Sequence, residues 1–185
     1  MKIVRLDDIA PSAWRNGGGR TRELLAWPRA EAWALRISVA DIERDGPFSA
    51  FAGIERWFAV IDGEGVALQF AGGERLCRRG DAVLRFDGAE APGCRLIGGP
   101  TRDLNLMLSR GRGAMQRAGL GEPAPAAKTL RALYTADMAT LLAGDAPIDL
   151  PAGSLAWHTE GLAARWAIDA PAPPRAWWIT FDDIA

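Results

Sequence analysis

The feature that most constrains this chain is a run of short apolar segments, cut by turn residues, between Trp57 and Ser109. Trp57 to Asp62, Val66 to Phe70, Arg75 to Cys77, Ala82 to Phe86, Arg95 to Ile97 and Asp103 to Ser109 read as strands. The turns between them fall at Gly63-Glu64-Gly65, Gly72-Gly73, Arg79-Gly80-Asp81, Asp87-Gly88 and Gly98-Gly99-Pro100. Glycine tolerates positive φ in such turns, and proline cannot continue a ladder. Strands at this spacing predict a sandwich or a barrel.

Two segments alternate cleanly. In Trp33 to Ala40, Trp33, Leu35, Ile37 and Val39 share one face and Ala34, Arg36, Ser38 and Ala40 the other. In Asp103 to Ser109, Leu104, Leu106 and Leu108 oppose Asp103, Asn105, Met107 and Ser109, and Thr21 and Glu23 likewise share a face. Polar faces of this kind either meet water on a one-sided antiparallel sheet or line a lumen, and period alone does not separate the two. Three details favour the lumen: small residues flank Arg36, Met107 sits among the polar positions, and both opposite faces are uninterruptedly apolar. A closed sheet with a partly polar lumen holds one small ligand.

The 185 residues suffice for one good-sized domain or two small ones. Gly111 to Lys128 lacks sustained periodicity and contains Pro123 and Pro125, so residues 111–128 are expected to link a first unit (1–110) to a second (129–185). Thr135 to Gly144 carries the one helix signal, with Thr135 or Asp137 as cap, a Met138, Leu141, Leu142 stripe and Gly144 as stop. Leu150 to Gly153 followed by Ser154 to Gly161 weakly echoes Leu76 to Gly80 followed by Asp81 to Gly88, which suggests a duplicated β unit. Terminal strands Ile3 to Leu6 and Trp177 to Phe181 would help to close it.

Composition excludes several classes. Net charge is −1, and the 22 basic residues, all but two of them Arg, are scattered among 23 acids, so nucleic acid is not an expected partner. The N-terminus lacks a signal-peptide stretch and no apolar run approaches the ~20 residues of a membrane span, so the expected location is the cytosol. Cys77 and Cys94 have no CxxC spacing and read as buried free thiols. The single histidine, His158, reads as the end of a strand and cannot by itself build a His-rich or Cys/His metal site. No metal and no cofactor is expected. GxSxG, GxxxxGK[ST] and HExxH patterns are absent, and Gly17-Gly18-Gly19 lacks the strand and helix of a dinucleotide fingerprint. Three consecutive glycines are instead expected where the chain turns or a ligand approaches the backbone.

Four ordered motifs then resemble one family. They are Trp14 to Glu23 (WRNGGGRTRE), Trp33 to Ala40 with Arg36-Ile37-Ser38, Asp45 to Arg56 (DGPFSAFAGIER) and Pro100 to Met107 (PTRDLNLM). Together they closely resemble the HutD/Ves family over about the first 110 residues, with Arg15 where Lys is usual and Glu55 where Asp is common. The resemblance implies an all-β chain of two cupin-like β-barrel or jelly-roll units with little helix, and bacterial relatives often encoded beside histidine-degradation genes. It implies no established catalytic activity. Matched to the motifs, Asn16, Thr21, Glu23, Arg36, Ser38, Ser49 and Asn105 surround a pocket.

The first functional expectation is a non-catalytic binding module for a small anionic metabolite such as urocanate or a formylglutamate. Arg36 would be its main electrostatic partner, with hydroxyls of Thr21, Ser38 or Ser49 and the Asn16 amide orienting it. Trp14 or Phe51 would lie against its body, and Gly17 and Gly18 would be structural parts of the site. The alternative is a metal-independent cupin enzyme, an isomerase, lyase or hydrolase, with Glu23 as acid or base and Arg36 stabilising an oxyanion. A third reading uses the apolar strand faces as an interaction surface, and a homodimer stays open.

Overall fold

The computed structural model describes residues 1–144, 146–160 and 164–183. Among them the only helical elements are three-residue 3-10 turns, at Leu6–Asp8, Ala30–Ala32 and Gly88–Glu90, and the remaining regular structure is strand. Every ladder between these strands is antiparallel. The chain divides into two compact units, residues 9–111 and residues 1–8 with those from 112 onward.

The 9–111 unit is a two-sheet sandwich. Its six-stranded sheet runs, in spatial order, Ser12–Ala13, Gly19–Trp27, Leu35–Ile42, Thr101–Ser109, Ile54–Asp62, Leu84–Asp87. The four-stranded sheet runs Gly46–Pro47, Gly93–Leu96, Gly65–Phe70, Gly73–Arg78. Ile42, Phe58, Val60 and Phe86 from the first sheet meet Val66, Leu68, Phe70, Cys77 and Cys94 from the second in one core. Each large apolar side chain so buried contributes roughly 1.5–3 kcal/mol. Both cysteines are buried and free, and burial pushes Cys77 up to about 11 and Cys94 to about 12, so they stay thiols at neutral pH.

The alternation in the two diagnostic strands is realised residue by residue. Leu35, Ile37, Val39, Leu104, Leu106 and Leu108 are fully buried on one face. The other face pairs Arg36 with Met107, Ser38 with Asn105 and Ala40 with Asp103. Directly opposed residues point to the same side of a sheet, so these six form three adjacent rungs.

The second unit holds a five-stranded sheet, Lys2–Arg5, Ser154–His158, Leu130–Thr135, Ala176–Phe181, Gly113–Arg117, and a three-stranded sheet, Pro147–Leu150, Ala139–Ala143, Trp166–Asp169. Leu133, Ala156 and Trp178 from one sheet pack with Leu141, Leu150, Trp166 and Ile168 from the other. His158 ends its strand, as expected, and its Nδ1 accepts the Glu160 amide at 2.9 Å.

Three expectations are corrected here. The helix over Thr135 to Gly144 is absent: Leu130–Thr135 ends one strand and Ala139–Ala143 forms the next. Its three-residue stripe fails because only Leu141 is buried, while Met138 is 74% and Leu142 39% exposed. Ala139 and Leu141 point inward at a period of two, which is the strand pattern. The expected connection 111–128 contains the strand Gly113–Arg117, laddered from Gly113 opposite Phe181 to Arg117 opposite Trp177. Residues 1–8 belong with the second unit and not the first, because Lys2–Arg5 pairs with Ser154–His158. Neither pairing leaves a local trace, since the partner lies 60 or more residues away in each case. Gly161, which closes the suggested internal echo, lies outside the described residues.

Candidate functional site

The polar rungs of the six-stranded sheet open into a cavity of about 420 Å³, a size suited to a small metabolite. Its wall is built from the strand faces just described together with the segments Ser12 to Asn16 and Pro47 to Phe51. Eight of the sequence-derived residues line it: Trp14, Asn16, Thr21, Arg36, Ser38, Ser49, Phe51 and Asn105. Thr21 stands opposite Ala40 and so extends the Ala40–Asp103 rung by one strand. Trp14 Nε1 donates to Thr21 Oγ1 at 2.7 Å, which leaves the Thr21 hydroxyl proton for another acceptor.

Glu23, Gly17 and Gly18 are placed differently. Glu23 faces the same side as its rung partner Ser38 but is not in the cavity wall. Its Oε2 accepts from Arg36 Nε at 2.6 Å, so the pair expected from the motif is present, at the partly exposed edge of the site. Gly17 and Gly18 shape the corner that presents Trp14 and Asn16. Gly17 has φ +68, and the Gly18 amide donates to Asn16 Oδ1 at 3.0 Å. Of these three consecutive glycines the one with least room is Gly19, where an added Cβ would lie 2.2 Å from the backbone oxygen of Asp41.

Gly19→Ala therefore has to push two backbones apart and is expected to cost about 2–3 kcal/mol in urea unfolding. Gly72→Ala, with open space around its Cβ, serves as the control and should lie within about 0.5 kcal/mol of the parent. Equal midpoints for the two variants would show that this corner yields freely.

Sequence reasoning left several wall residues out of the site, Asp103 and Phe48 among them, and the most consequential is Arg56. It is 7% exposed, lines the cavity and stands on the rung Arg36–Met107–Arg56. Its guanidinium carbon lies 4.9 Å from the Phe48 ring centre and 5.2 Å from that of Phe86. Nη2 donates to Asn105 Oδ1 at 2.8 Å, and Asn105 Nδ2 in turn donates to Asp103 Oδ1. Arg56 Nε and Asp103 Oδ2 are buried without a hydrogen-bond partner. Burial pulls Arg56 down to about 10 despite the nearby Asp103, with Arg36 adding to the effect, so it is still a cation at neutral pH. Burial pushes Asp103, 1% exposed, up to about 8 against the pull of Arg56. The signal for Arg56 was the continued alternation Ile54, Arg56, Phe58, Val60, which a strand start at Trp57 cut short.

No group of three or more His, Cys, Asp or Glu able to hold a metal occurs among the described residues. Elemental analysis of protein purified without a metal-affinity tag should accordingly find zinc, iron and nickel far below one equivalent. A dialysis-resistant equivalent of any of them would require ligands that the wall does not offer.

This architecture, a polar cavity on the inner face of a short-stranded antiparallel sandwich, is that of a cupin. A cupin 2 conserved barrel domain protein from Leptotrichia buccalis superposes with TM-score 0.56 at 11% identity, covering 96% of this chain and 94% of its own. The chain belongs to the HutD family, whose model matches residues 6–172. HutD from Pseudomonas fluorescens SBW25, solved in a formate condition, has TM-score 0.85 at 28% identity, with 100% of this chain and 99% of that one covered. An uncharacterised 21.2 kDa protein in the hutC 3′ region of Pseudomonas putida is 33% identical over 111 residues, 59% of this chain and 58% of its own length. Protein Ves of Cronobacter sakazakii is 31% identical over 113 residues, 60% and 62% respectively. The alignments thus span about three fifths of these curated relatives.

Proposed function

We propose that the 9–111 unit binds a small carboxylate and does not transform it. The observation that carries this reading is Arg56: a buried guanidinium in a cavity wall, its Nε unpartnered, with no ion pair to an acid among the described residues. Leaving such a donor empty is costly, and a carboxylate matches its geometry. Arg36 adds a second positive charge to the same wall, and Thr21, Ser38 and Ser49 supply hydroxyls for the remaining acceptors. Trp14, Phe48 and Phe51 offer apolar area to the ligand's body.

A relative's place in a hutC 3′ region makes histidine breakdown the first pathway to search. Urocanate and N-formylglutamate, both carboxylates, head the candidates, and the chain would modulate histidine utilisation in the cytosol by holding one of them. No helix among the described residues is long and apolar enough to cross a membrane. Catalysis through Glu23 gains no support from the geometry, because its carboxylate is outside the wall and engaged by Arg36.

A thermal-shift screen of urocanate, N-formylglutamate, formate and unrelated small acids tests the reading. A ligand at ~100 times its Kd adds about 2.7 kcal/mol, a shift of several degrees for a chain of this size. The expected result is stabilisation by at least one carboxylate, which mass spectrometry then finds unchanged. Turnover of that compound would restore the enzyme alternative, and no shift with any acid would remove the binding reading.

A further inference from the structure

The donors along the cavity wall form a chain that ends on an oxygen with nothing to receive. Arg56 Nη2 donates to Asn105 Oδ1, which orients the amide so that Nδ2 points its hydrogens at Asp103 Oδ1. Asp103 Oδ2 has no partner, is buried, and belongs to a cavity-lining residue, as does the equally unpartnered Arg56 Nε. An ionised Asp103 would therefore carry its charge out of water with one oxygen unsatisfied, and the nearest cation would reach it through an amide. A protonated Asp103 has no such difficulty, because Oδ2–H is a donor in search of an acceptor. Oδ2–H and Nε–H are then two unused donors on residues of the same wall, matching in number the two oxygens of one carboxylate.

We propose that Asp103 grips the ligand's carboxylate as a carboxylic acid, donating from Oδ2, so that in alkaline solution, where the empty site has lost that proton, each anion enters the cavity together with one proton. The proposal rests on the small-carboxylate reading above and adds to it a specificity rule. Ligands must present an acceptor-only anionic group to Asp103, and those that present an ammonium or N–H there are disfavoured.

The surroundings leave Asp103 as the group that takes the proton. Its rung neighbours Ala40 and Val60 are apolar. On Leu35–Ile42, Arg36 is held by Glu23, while Asp41 is bonded to Arg22 of Gly19–Trp27 and to Arg102 of Asp103's own strand. On Gly93–Leu96 the Cys94 thiol, pushed by burial to about 12, stays neutral. On Ile54–Asp62 the one charge that Asp103 feels strongly is Arg56. A second carboxylate brought to Arg56 competes for that single cation and drives Asp103 further toward its acid form.

Titration calorimetry with formate, urocanate and N-formylglutamate, run at about pH 9 in Tris and in borate, reads the proton directly because the two buffers differ in ionisation enthalpy. The expected result is uptake of close to one proton per carboxylate bound, with Kd steepening toward a tenfold rise per pH unit above about pH 8. Asp103→Asn keeps a donor at this position, so it should bind with an affinity independent of pH between about 7 and 9 and take up no proton. Binding by the parent protein without uptake overturns the proposal and leaves the carboxylate reading standing. Proton release, or an affinity that rises with pH, would place an ionised Asp103 against a cationic donor and also overturns it. If none of the three acids binds across this range, the carboxylate reading falls and this inference with it. Uptake is read on the parent protein, so a poorly folding variant does not blunt the test.

Discussion

Replacing Arg56 with Met is expected to weaken carboxylate binding by at least ~30-fold while leaving the melting temperature unchanged or higher. The binding loss follows from removing one partner of a buried charge pair, which costs roughly 2–5 kcal/mol, with each 1.4 kcal/mol a factor of ten in affinity. The fold tolerates the change because Arg56, 7% exposed, has no ion pair to an acid among the described residues to offset its desolvation. A thioether suits the space between the Phe48 and Phe86 rings, and against this gain stands only the donor that Asn105 Oδ1 loses. Arg56→Lys keeps the charge without the fork and should fall between parent and Met. Arg36→Gln should cost less, about 3–10-fold, since the Arg36 side chain is 24% exposed and already paired with Glu23. Arg44→Gln, at an exposed position outside the wall, is the control. Calorimetric Kd values with the best acid from the thermal-shift screen decide the order. If Arg56→Met binds like the parent while Arg36→Gln does not, the anion sits at the more exposed end of the cavity, where the alternation of Trp33 to Ala40 first suggested it.

That alternation shows how far sequence carries. Arg36, Ser38 and Ala40, and Asp103, Asn105 and Met107, were legible as two inward polar rows because a period of two is written locally and each opposite row is unbroken aliphatic. What was not local was hidden. Arg56 is the third residue of the strand Ile54–Asp62, just past the turn at Gly53, and only its ladder to Met107 makes it part of the same wall. Asp103 was visible on the polar face, yet its weight depends on Asn105 and Arg56 forming a relay across two strands. The stripe Met138, Leu141, Leu142 satisfies both helix and strand templates over so short a run, and the pairing of Leu141 with Ile148 and Ile168 decides for strand. Gly113–Arg117 looked like a connection because its apolar content is low, and one buried residue, Met115, was too little to reveal a strand held mainly by its backbone ladder to Trp177–Phe181.

Without any ligand, the same carboxyl should govern how stability depends on pH. Asp103 has its acid form favoured in the folded state, since burial pushes it from 3.8 to about 8, so between those values the native chain holds a proton that the unfolded chain has released. The unfolded state then binds fewer protons, and the stability gained by protonating Asp103 is complete below about pH 4 and is lost as pH rises through about 8. Each tenfold change in the acidity of a group is worth about 1.36 kcal/mol, so the loss would reach on the order of 5 kcal/mol in a rigid site, and relaxation around the ionised carboxylate reduces it to an expected ~2–3 kcal/mol. Asp41 and Asp137, like Asp87, act in the opposite sense. For Asp41, burial is outweighed by hydrogen bonds and charge from Arg102 and Arg22, which hold it below its usual range. Asp137 is held down by hydrogen bonds from Arg175. Both contribute stability that disappears as pH falls through the acid range, so the parent protein should be most stable in a window near pH 4.5–6. Asp103→Asn removes the alkaline limb alone: urea midpoints of the variant should stay level from about pH 5 to 9 while those of the parent decline. A variant that declines in parallel with the parent would mean that Asp103 is ionised at neutral pH in the folded chain, its charge held by the neighbouring Arg56 guanidinium.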